Sequence, residues 1–195
     1  TKAPATRRRF LNRLNRNLKD ALSTRPGAFR ITRTHSRIFV DFEESALPEA
    51  VKGLSRIFGV QSLAQVEERE WHDMEDLVAA GLEIFEGAVR DRSFAVRARR
   101  VGNRQHIQVQ SANVQRELGA ALLPFAREVS LDAPEVTASV EISAGYAHFF
   151  GTSQPAPGGL PLGCEGRGVA LVSGGFDSPV AAWLMMKRGV ELDYV

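Results

Sequence analysis

The sequence has little cysteine and no long hydrophobic run. Cys164 is the single cysteine among 195 residues, which excludes an internal disulfide framework and favours a reducing compartment. No apolar stretch approaches the roughly 20 residues that a membrane-spanning helix needs, and no secretory signal segment is recognisable. The four histidines lack the spacing of metal ligands, so we predict no metal centre made by the chain alone. A composition of 44% hydrophobic and 25% charged residues is typical of a globular protein, which we predict to be cytoplasmic.

Charge is distributed unevenly along the chain, although the formal net charge is only +2. Residues 1–37 hold 11 Lys/Arg and one acid, and residues 38–90 hold 4 Lys/Arg and 12 acids. Residues 91–130 are basic again, with 7 Arg and 3 acids. Two basic blocks separated by an acidic one predict a polyanion site, and a solvated surface crossed by salt bridges is the alternative.

A glycine-containing loop between an apolar run and an amphipathic helix is the strongest motif. Residues 169–172 are apolar, residues 173–178 read Ser-Gly-Gly-Phe-Asp-Ser, and a helix is predicted from Pro179 to Arg188. The amides at a helix N-terminus and its dipole attract anions, and glycines allow close approach and positive φ. The loop lacks the lysine of a Walker A motif. Its acid, Asp177, predicts either a bridging Mg²⁺ or a cap on the helix.

The first 66 residues predict the order α-β-β-α-β. Apolar residues at helical spacing indicate the first helix, and alternation over 29–31 and 38–42 predicts a hairpin. A second amphipathic helix is expected from Leu47 to Phe58, followed by a short strand over 60–66. This order is that of a ferredoxin-like domain that lacks its first strand.

Residues 67–150 predict a second α+β module. Asp73 is expected to cap a helix, and a strand over 94–99 presents apolar residues on one face and arginines on the other. A partner strand is expected at 107–109, and Ser111 is expected to cap the next helix. Residues 151–168 are rich in glycine and proline and predict a linker. Residues 169–195 predict the strand, loop and helix that begin a third module, which is too short to close a doubly wound sheet.

These motifs together resemble the tRNA 4-thiouridine synthetases, or tRNA sulfurtransferases, which are also linked to thiamine thiazole synthesis. The matching stretches are Arg8-Arg9-Phe10 with Leu14 and Asn17, the strand from Ser93 to Arg100, Arg116-Glu117-Leu118-Gly119, the Gly-Gly-Leu-Pro-Leu-Gly run at 158–163, and residues 173–181 with 186–189. The resemblance implies ferredoxin-like and THUMP modules of the α+β class, followed by the truncated start of an α/β ATP pyrophosphatase domain.

The resemblance also implies an activity. The family's enzymes use ATP and Mg²⁺ to adenylate uridine 8 of tRNA at its 4-oxygen, and a persulfide sulfur then displaces AMP. The ATP site would be formed by Leu171, Val172, Ser173, Gly174, Gly175, Asp177 and Ser178.

The resemblance implies transfer RNA as the macromolecular partner. Stems of A-form geometry are recognised through their phosphates and 2′-hydroxyls, which suits a surface with many arginines. A persulfide donor such as a cysteine desulfurase would be a second partner, and a homodimer is left open. The expected tRNA-binding residues are Lys2, Arg7, Arg8, Arg9, Arg13, Arg16, Arg97, Arg99, Arg100 and Arg104.

Two other functions stay open on the sequence. One is an RNA-binding module without catalysis, and the other is an ATP pyrophosphatase that acts on a small molecule. In the resembled family the persulfide cysteine lies well beyond position 195, and Cys164 does not match it. We therefore expect no catalytic residue within this chain and no thiolation by the chain alone.

Overall fold

The computed structural model describes residues 3–25, 27–34 and 37–195, and of Arg104 the backbone alone. Lys2, an expected RNA contact, lies outside this part of the chain. The contacts divide the chain into two units, one made of Thr1–Leu63 with Gln154–Val195 and the other of Ala64–Ser153. Within the described residues, no helix combines the length and apolar character needed to cross a lipid bilayer.

The first unit begins with two helices, α1 (Pro4–Ser23) and α2 (Leu47–Leu54). Three leucines at helical spacing form the buried stripe of α1, at positions 14, 18 and 22. The predicted second helix was too long, because it ends at Leu54 instead of Phe58. Arg56 and Ile57 donate their backbone N–H groups to carbonyls three residues earlier, so tight turns replace the last helical turn.

The predicted hairpin is confirmed. Strands β1 (Phe29–Arg33) and β2 (Ile38–Phe42) pair antiparallel, with Ile31 opposite Val40. The strand expected over 60–66 is only β3 (Ser62–Leu63). It pairs antiparallel with β9 (Gln154–Pro155) and not with the hairpin, so the sheet predicted from α-β-β-α-β is divided in two.

The second unit contains a sheet of five strands, which are β4 (Glu67–Glu70), β5 (Ser93–Arg100), β6 (Glu128–Val129), β7 (Val136–Ile142) and β8 (Tyr146–Phe150). Their order in the sheet is β4-β8-β7-β5-β6, so β7 is the central strand. Strand β5 is parallel to both of its neighbours, β7 and β6, whereas β8 is antiparallel to β7 and β4.

Two helices, α3 (Met74–Val89) and α4 (Ser111–Leu122), supply the apolar side chains that pack on this sheet. Asp73 caps α3 as predicted, because its carboxylate accepts the Asp76 N–H at 2.9 Å. The predicted cap on α4 was wrong, since Ser111 is already helical and Gln110 precedes it without a side-chain bond. The strand predicted at 107–109 is absent from the described structure. Both edges of β5 are already paired, so Ile107 instead enters the core.

The alternation predicted for β5 is confirmed. Phe94, Val96 and Ala98 are buried in the core, whereas Arg97 and Arg99 are exposed. Leucines of α3 and α4, including Leu77 and Leu118, close the core above the sheet. Burial of these side chains is the main favourable term for this unit.

The last part of the first unit is a β-α-β element. Strands β10 (Arg167–Ala170) and β11 (Glu191–Tyr194) are parallel, and α5 (Asp177–Lys187) connects them. The two strands and the helix confirm the predicted start of an α/β domain. The helix begins two residues before Pro179, which therefore lies in its first turn, where its missing N–H is tolerated.

Candidate functional site

Two serines close the 173–178 loop that connects β10 to α5. The backbone N–H of Ser173 donates to the Ser178 hydroxyl at 3.1 Å, and the two hydroxyl oxygens lie 3.3 Å apart. The Gly175 N–H is directed back to the Ser173 hydroxyl at 3.3 Å. The expected hydroxyl groups therefore lie together at the carboxyl end of β10, which is where open α/β sheets bind ligands.

The two loop glycines do not have the conformation that the sequence suggested. Among the described residues, neither Gly174 nor Gly175 has a positive φ. The space beside their backbone is open. A Cβ on Gly174 would meet nothing within 4 Å, and a Cβ on Gly175 would meet only the Ser173 hydroxyl, at 3.5 Å. Backbone strain therefore does not account for these glycines.

The start of α5 is open to solvent and carries no side-chain cap. Phe176 is the N-cap residue and makes no capping hydrogen bond, so the alternative in which Asp177 caps the helix was wrong. Asp177 is instead the first helical residue, and it is exposed. The N–H groups of a first helical turn have no intrahelical acceptor, and the dipole is positive there. This end of the helix therefore favours an anion.

Leu171 and Val172 lie between β10 and the loop, at the positions expected for contact with a nucleotide. The Val172 N–H donates to the carbonyl of Val195 at 2.8 Å, so hydrogen bonding to the neighbouring chain segment continues beyond β10. Leu171 is 77% exposed. An apolar groove runs beside the loop between the strands and α5, and its lining includes Leu171, Ser178 and Met185.

The arginines of α1 differ in how far they are engaged within the protein. Arg7, Arg8 and Arg16 are exposed. Arg9 lies 3.6 Å from the Glu165 carboxylate, and its guanidinium stacks over the Phe10 ring at 5.3 Å. Arg8 and Arg16 are therefore among the cations of this helix that a polyanion can reach from the solvent.

Arg13 is the exception on α1, because its side chain is directed into the protein. Its Nε donates to the carbonyl of Leu162 at 2.7 Å, and its Nη2 donates to the Glu191 carboxylate at 2.8 Å. Asn17, one turn later, donates to the same carbonyl at 3.1 Å. No local sequence pattern indicates this arrangement, since its members are 145 to 178 positions apart.

The expected RNA-binding arginines of the second unit also divide into two kinds. Two nitrogens of the Arg99 guanidinium donate to the same carboxylate oxygen of Glu141. Nε lies 2.9 Å and Nη2 2.5 Å from Oε1. The Glu141 side chain is only 5% exposed. Arg97 is exposed and donates to the carbonyl of Leu131, and Arg100 is half-buried at the end of β5. The Arg104 side chain lies outside the description.

Three pKa shifts mark structural hydrogen bonds away from the loop. The Ser93 N–H, assisted by its hydroxyl and by Arg127, lowers the pKa of Glu135. The His72 backbone N–H lowers the pKa of Asp76. A hydrogen bond to Glu70 raises the pKa of the Tyr146 hydroxyl. The described residues contain no group of three or more His, Cys, Asp or Glu side chains that could hold a metal ion.

Three family models match separate parts of the chain. Residues 1–64 match the ThiI ferredoxin-like domain and residues 72–149 match the THUMP domain. Residues 163–195 match the family described as thiamine biosynthesis protein (ThiI). The predicted divisions at residues 66, 150 and 168 stay predictions.

Curated relatives extend the similarity to the whole chain. A tRNA sulfurtransferase of Desulfurococcus amylolyticus is 38% identical over 195 residues, which is 100% of this chain and 39% of that protein. A probable tRNA sulfurtransferase of Saccharolobus islandicus is 36% identical over 190 residues, or 96% of this chain and 48% of that protein. The chain thus spans 39% to 48% of the length of these relatives.

Solved structures have the same fold. PH1313 from Pyrococcus horikoshii superposes with a TM-score of 0.86 at 30% identity, covering 100% of this chain and 64% of that one. A 4-thiouridine synthetase solved in complex with RNA and with bound ATP gives a TM-score of 0.80 at 27% identity, over 100% of this chain and 49% of that one. TrmN from Thermus thermophilus, at 19% identity and a TM-score of 0.55, shares the fold alone.

Proposed function

Since the chain belongs to the tRNA sulfurtransferase (ThiI) family, we propose that it is the tRNA-binding part of an enzyme that makes 4-thiouridine, together with the loop that binds ATP. The observation that carries the proposal is the similarity over the full chain to a 4-thiouridine synthetase solved with RNA and bound ATP. The open 173–178 loop supports the nucleotide part, and the exposed arginines of α1 support the RNA part.

In the proposed reaction the 4-oxygen of uridine 8 attacks the α-phosphorus of ATP, and pyrophosphate leaves. A persulfide sulfur then attacks carbon 4, and AMP leaves with the former oxygen. A second thiol then attacks the carrier sulfur and breaks the sulfur–sulfur bond, which releases 4-thiouridine and leaves a disulfide on the carrier. The sulfur would come from a persulfide donor such as a cysteine desulfurase, and a cytoplasmic location is part of the same proposal. Self-association into a homodimer stays a prediction.

The loop residues would bind the phosphates. The Gly174 amide, the two serine hydroxyls and the open first turn of α5 would provide donors at one place. The Gly175 amide would exchange its bond to the Ser173 hydroxyl for one to a phosphate. Leu171 and Val172 would contact the nucleotide beside them. This arrangement holds and orients a triphosphate, and positioning of this kind lowers a barrier without a local general base.

A single carboxylate at the loop fits Mg²⁺ in the manner usual for nucleotide enzymes. Mg²⁺ is commonly held by one or two carboxylates and by substrate phosphates, and it would neutralise charge on those phosphates. Asp177 is exposed at the first position of α5 and makes no capping bond that would compete for its oxygens. Asp177 is therefore the residue that would hold the ion.

ATP binding is tested with the Gly174→Ala variant. A Cβ at this position meets no protein atom and needs no unusual φ, so the variant folds normally, but the methyl group occupies the space that a phosphate would approach. We expect ATP affinity, measured by calorimetric titration with Mg²⁺, to fall at least about fivefold. Gly151→Ala, also in open space, is the matched control and leaves affinity unchanged. A wild-type chain that binds tRNA but not ATP would favour the RNA-binding module without catalysis.

RNA binding is tested on α1 with the double variant Arg8→Gln and Arg16→Gln. The plot of log affinity against log salt concentration has a negative slope, and each phosphate contact that is lost with a guanidinium makes this slope shallower by about 0.9. We expect weaker binding of unmodified tRNA and a slope about two units shallower in filter-binding titrations. Arg92→Gln with Arg116→Gln, also exposed, makes the same change in net charge and is expected to keep the wild-type slope. An equal effect of both pairs would reject a specific site on α1.

The other expected RNA contacts remain part of the proposal. These are Lys2, Arg7, Arg9, Arg97, Arg99, Arg100 and Arg104. Arg13, whose side chain is directed into the protein, is not proposed as an RNA contact. Arg97 is the best single probe in the second unit, because its carbonyl partner is not a buried charge. An Arg99 variant would report the loss of its ion pair with Glu141 as well as any loss of RNA contact.

A further inference from the structure

Arg13 joins three parts of the first unit that are distant in sequence. From α1 its guanidinium reaches the carbonyl of Leu162, at 2.7 Å, and the carboxylate of Glu191 on β11, at 2.8 Å. Asn17 lies four positions later on the same face of the helix and reaches the same carbonyl at 3.1 Å. The Arg13 side chain is 26% exposed, so these charge-assisted bonds are partly shielded from water.

The backbone of residues 160–163, which includes the Arg13 acceptor Leu162, leaves room for the Arg13 guanidinium. Gly163 has a φ of +80°, which a residue with a side chain rarely adopts, and a Cβ there would overlap the Arg13 guanidinium. The Gly163 N–H donates to the Gly189 carbonyl at 2.8 Å, and the Leu160 N–H donates to the Lys187 carbonyl at 2.9 Å. The predicted linker is therefore fixed to α1 on one side and to the end of α5 on the other.

We infer that Arg13 is a positioning residue that holds β11 and the end of α5, and with them the 173–178 loop, at a fixed place against α1. This inference rests on the proposed function, in which α1 contacts RNA and the loop binds ATP. A fixed distance between these two sites sets where a bound RNA lies relative to the nucleotide. It also assigns Arg13 to contacts within the protein instead of the RNA contact expected from sequence.

The single cysteine provides a probe that needs no engineering. Cys164 is half-buried directly after Gly163, its N–H donates to the Pro161 carbonyl, and its sulfur packs against Gly189. Loss of a charge-assisted hydrogen bond changes a local opening equilibrium by about tenfold or more. We expect Arg13→Gln to raise the rate of Cys164 reaction with a thiol reagent about tenfold. Arg13→Lys and Glu191→Gln each keep part of the network and are expected to give smaller increases.

Positioning is tested directly by a distance between α1 and β11. Spin labels at Asp20→Cys and Asp193→Cys, in a Cys164→Ser background, replace exposed side chains on these two elements. We expect a narrow distance distribution with Arg13 and a broad one in Arg13→Gln. Arg16→Gln is the matched control on the same helix, and it is expected to leave both the distance distribution and the thiol rate unchanged while it weakens tRNA binding.

The outcomes separate this inference from the proposed function. If Arg13→Gln lowers tRNA affinity and salt slope as Arg16→Gln does, with an unchanged thiol rate and distance distribution, Arg13 is an RNA contact and the inference is overturned. If the wild-type chain ignores tRNA and ATP, the proposed function fails, and the thiol and distance measurements still decide the role of Arg13. If Arg13→Gln does not fold, the same two measurements on Glu191→Gln decide it.

Discussion

At the scale of single residues, the partner of each arginine determines what its side chain can do. Arg8 and Arg16 are exposed on α1, whereas Arg13 is bonded to Leu162 and Glu191. Arg99 faces a carboxylate that is almost fully buried. Sequence spacing predicts which arginines share a helix or strand face, but it does not predict which of them meet an acid from a distant segment.

Removal of Arg99 should be costly because it takes two charge-assisted hydrogen bonds away from the almost fully buried Glu141 carboxylate. A fully buried pair broken in this way costs about 3–5 kcal/mol, but the Arg99 side chain is half exposed. We expect Arg99→Ala to lower the free energy of unfolding by about 2 kcal/mol in urea denaturation. Arg116→Ala, which breaks an exposed pair with Glu117, should change it by less than about 0.5 kcal/mol. Equal effects of the two variants would contradict this account.

Glu135 should make stability depend on acidity. Its pKa is lowered in the folded protein, chiefly because the Ser93 N–H bonds to the carboxylate at 2.7 Å. The stabilisation is therefore complete above the unfolded-state pKa of about 4.3 and is lost as pH falls through the lower folded-state pKa. We expect the difference in stability between wild type and Glu135→Gln, from denaturant curves at several pH values, to shrink below about pH 4.3. A difference that is constant from neutral to strongly acidic pH would refute this.

At the scale of secondary-structure elements, α3 packs closely on α4 because Gly81 of α3 has no side chain where Leu118 of α4 lies against it. A Cβ on Gly81 would lie 2.7 Å from both terminal carbons of Leu118. Gly87, on the same helix, faces open space, where a Cβ meets nothing within 4 Å. The sequence contains both glycines without distinguishing them, because the distinction depends on the neighbouring helix.

The two glycines should respond in opposite directions to the same substitution. Gly81→Ala forces Leu118 or the helix to move, and overpacking of this kind costs about 1–3 kcal/mol. Gly87→Ala removes backbone freedom from the unfolded chain without a clash, so we expect a gain of about 0.5–1 kcal/mol. Thermal unfolding of the two variants measures both effects. A loss of stability in Gly87→Ala would contradict the open surroundings of that site.

At the scale of the whole molecule, the second unit has a core of its own. Among the described residues, seventeen buried side chains form one cluster, fifteen from the two helices and the sheet and two, Trp71 and Ile107, from connecting segments. The first unit is discontinuous in sequence, because α1, β3 and Gly59 are hydrogen-bonded to residues within 154–195. A unit that satisfies its own hydrogen bonds and buries its own apolar face can fold alone.

Separate expression of the two contiguous segments should therefore give different results. We expect residues 64–153 to fold cooperatively, with a sigmoidal thermal transition by circular dichroism and dispersed amide resonances. Residues 1–63 lose Leu162 and Glu191, the partners of Arg13, as well as the strand that pairs with β3. We expect that segment to be less stable in the same measurements. If both segments unfolded cooperatively at the same temperature, the division of the chain into these two units would be contradicted.

The sequence by itself determined the helices α1, α3, α4 and α5, the first hairpin, the alternation along β5 and the strand-loop-helix motif with its serines and Asp177. These features depend on periodicity, composition and local hydrogen bonding, which neighbouring residues carry. Only the tertiary structure decided the pairing of β3, the absence of a strand at 107–109 and the negative φ of the loop glycines. It also decided that Arg13 bonds to Leu162 and Glu191 and that Arg99 bonds to Glu141. Each of these features depends on which distant segment pairs with a sheet edge or lies next to a charged side chain. Such contacts form only in the folded chain, so local sequence patterns do not predict them.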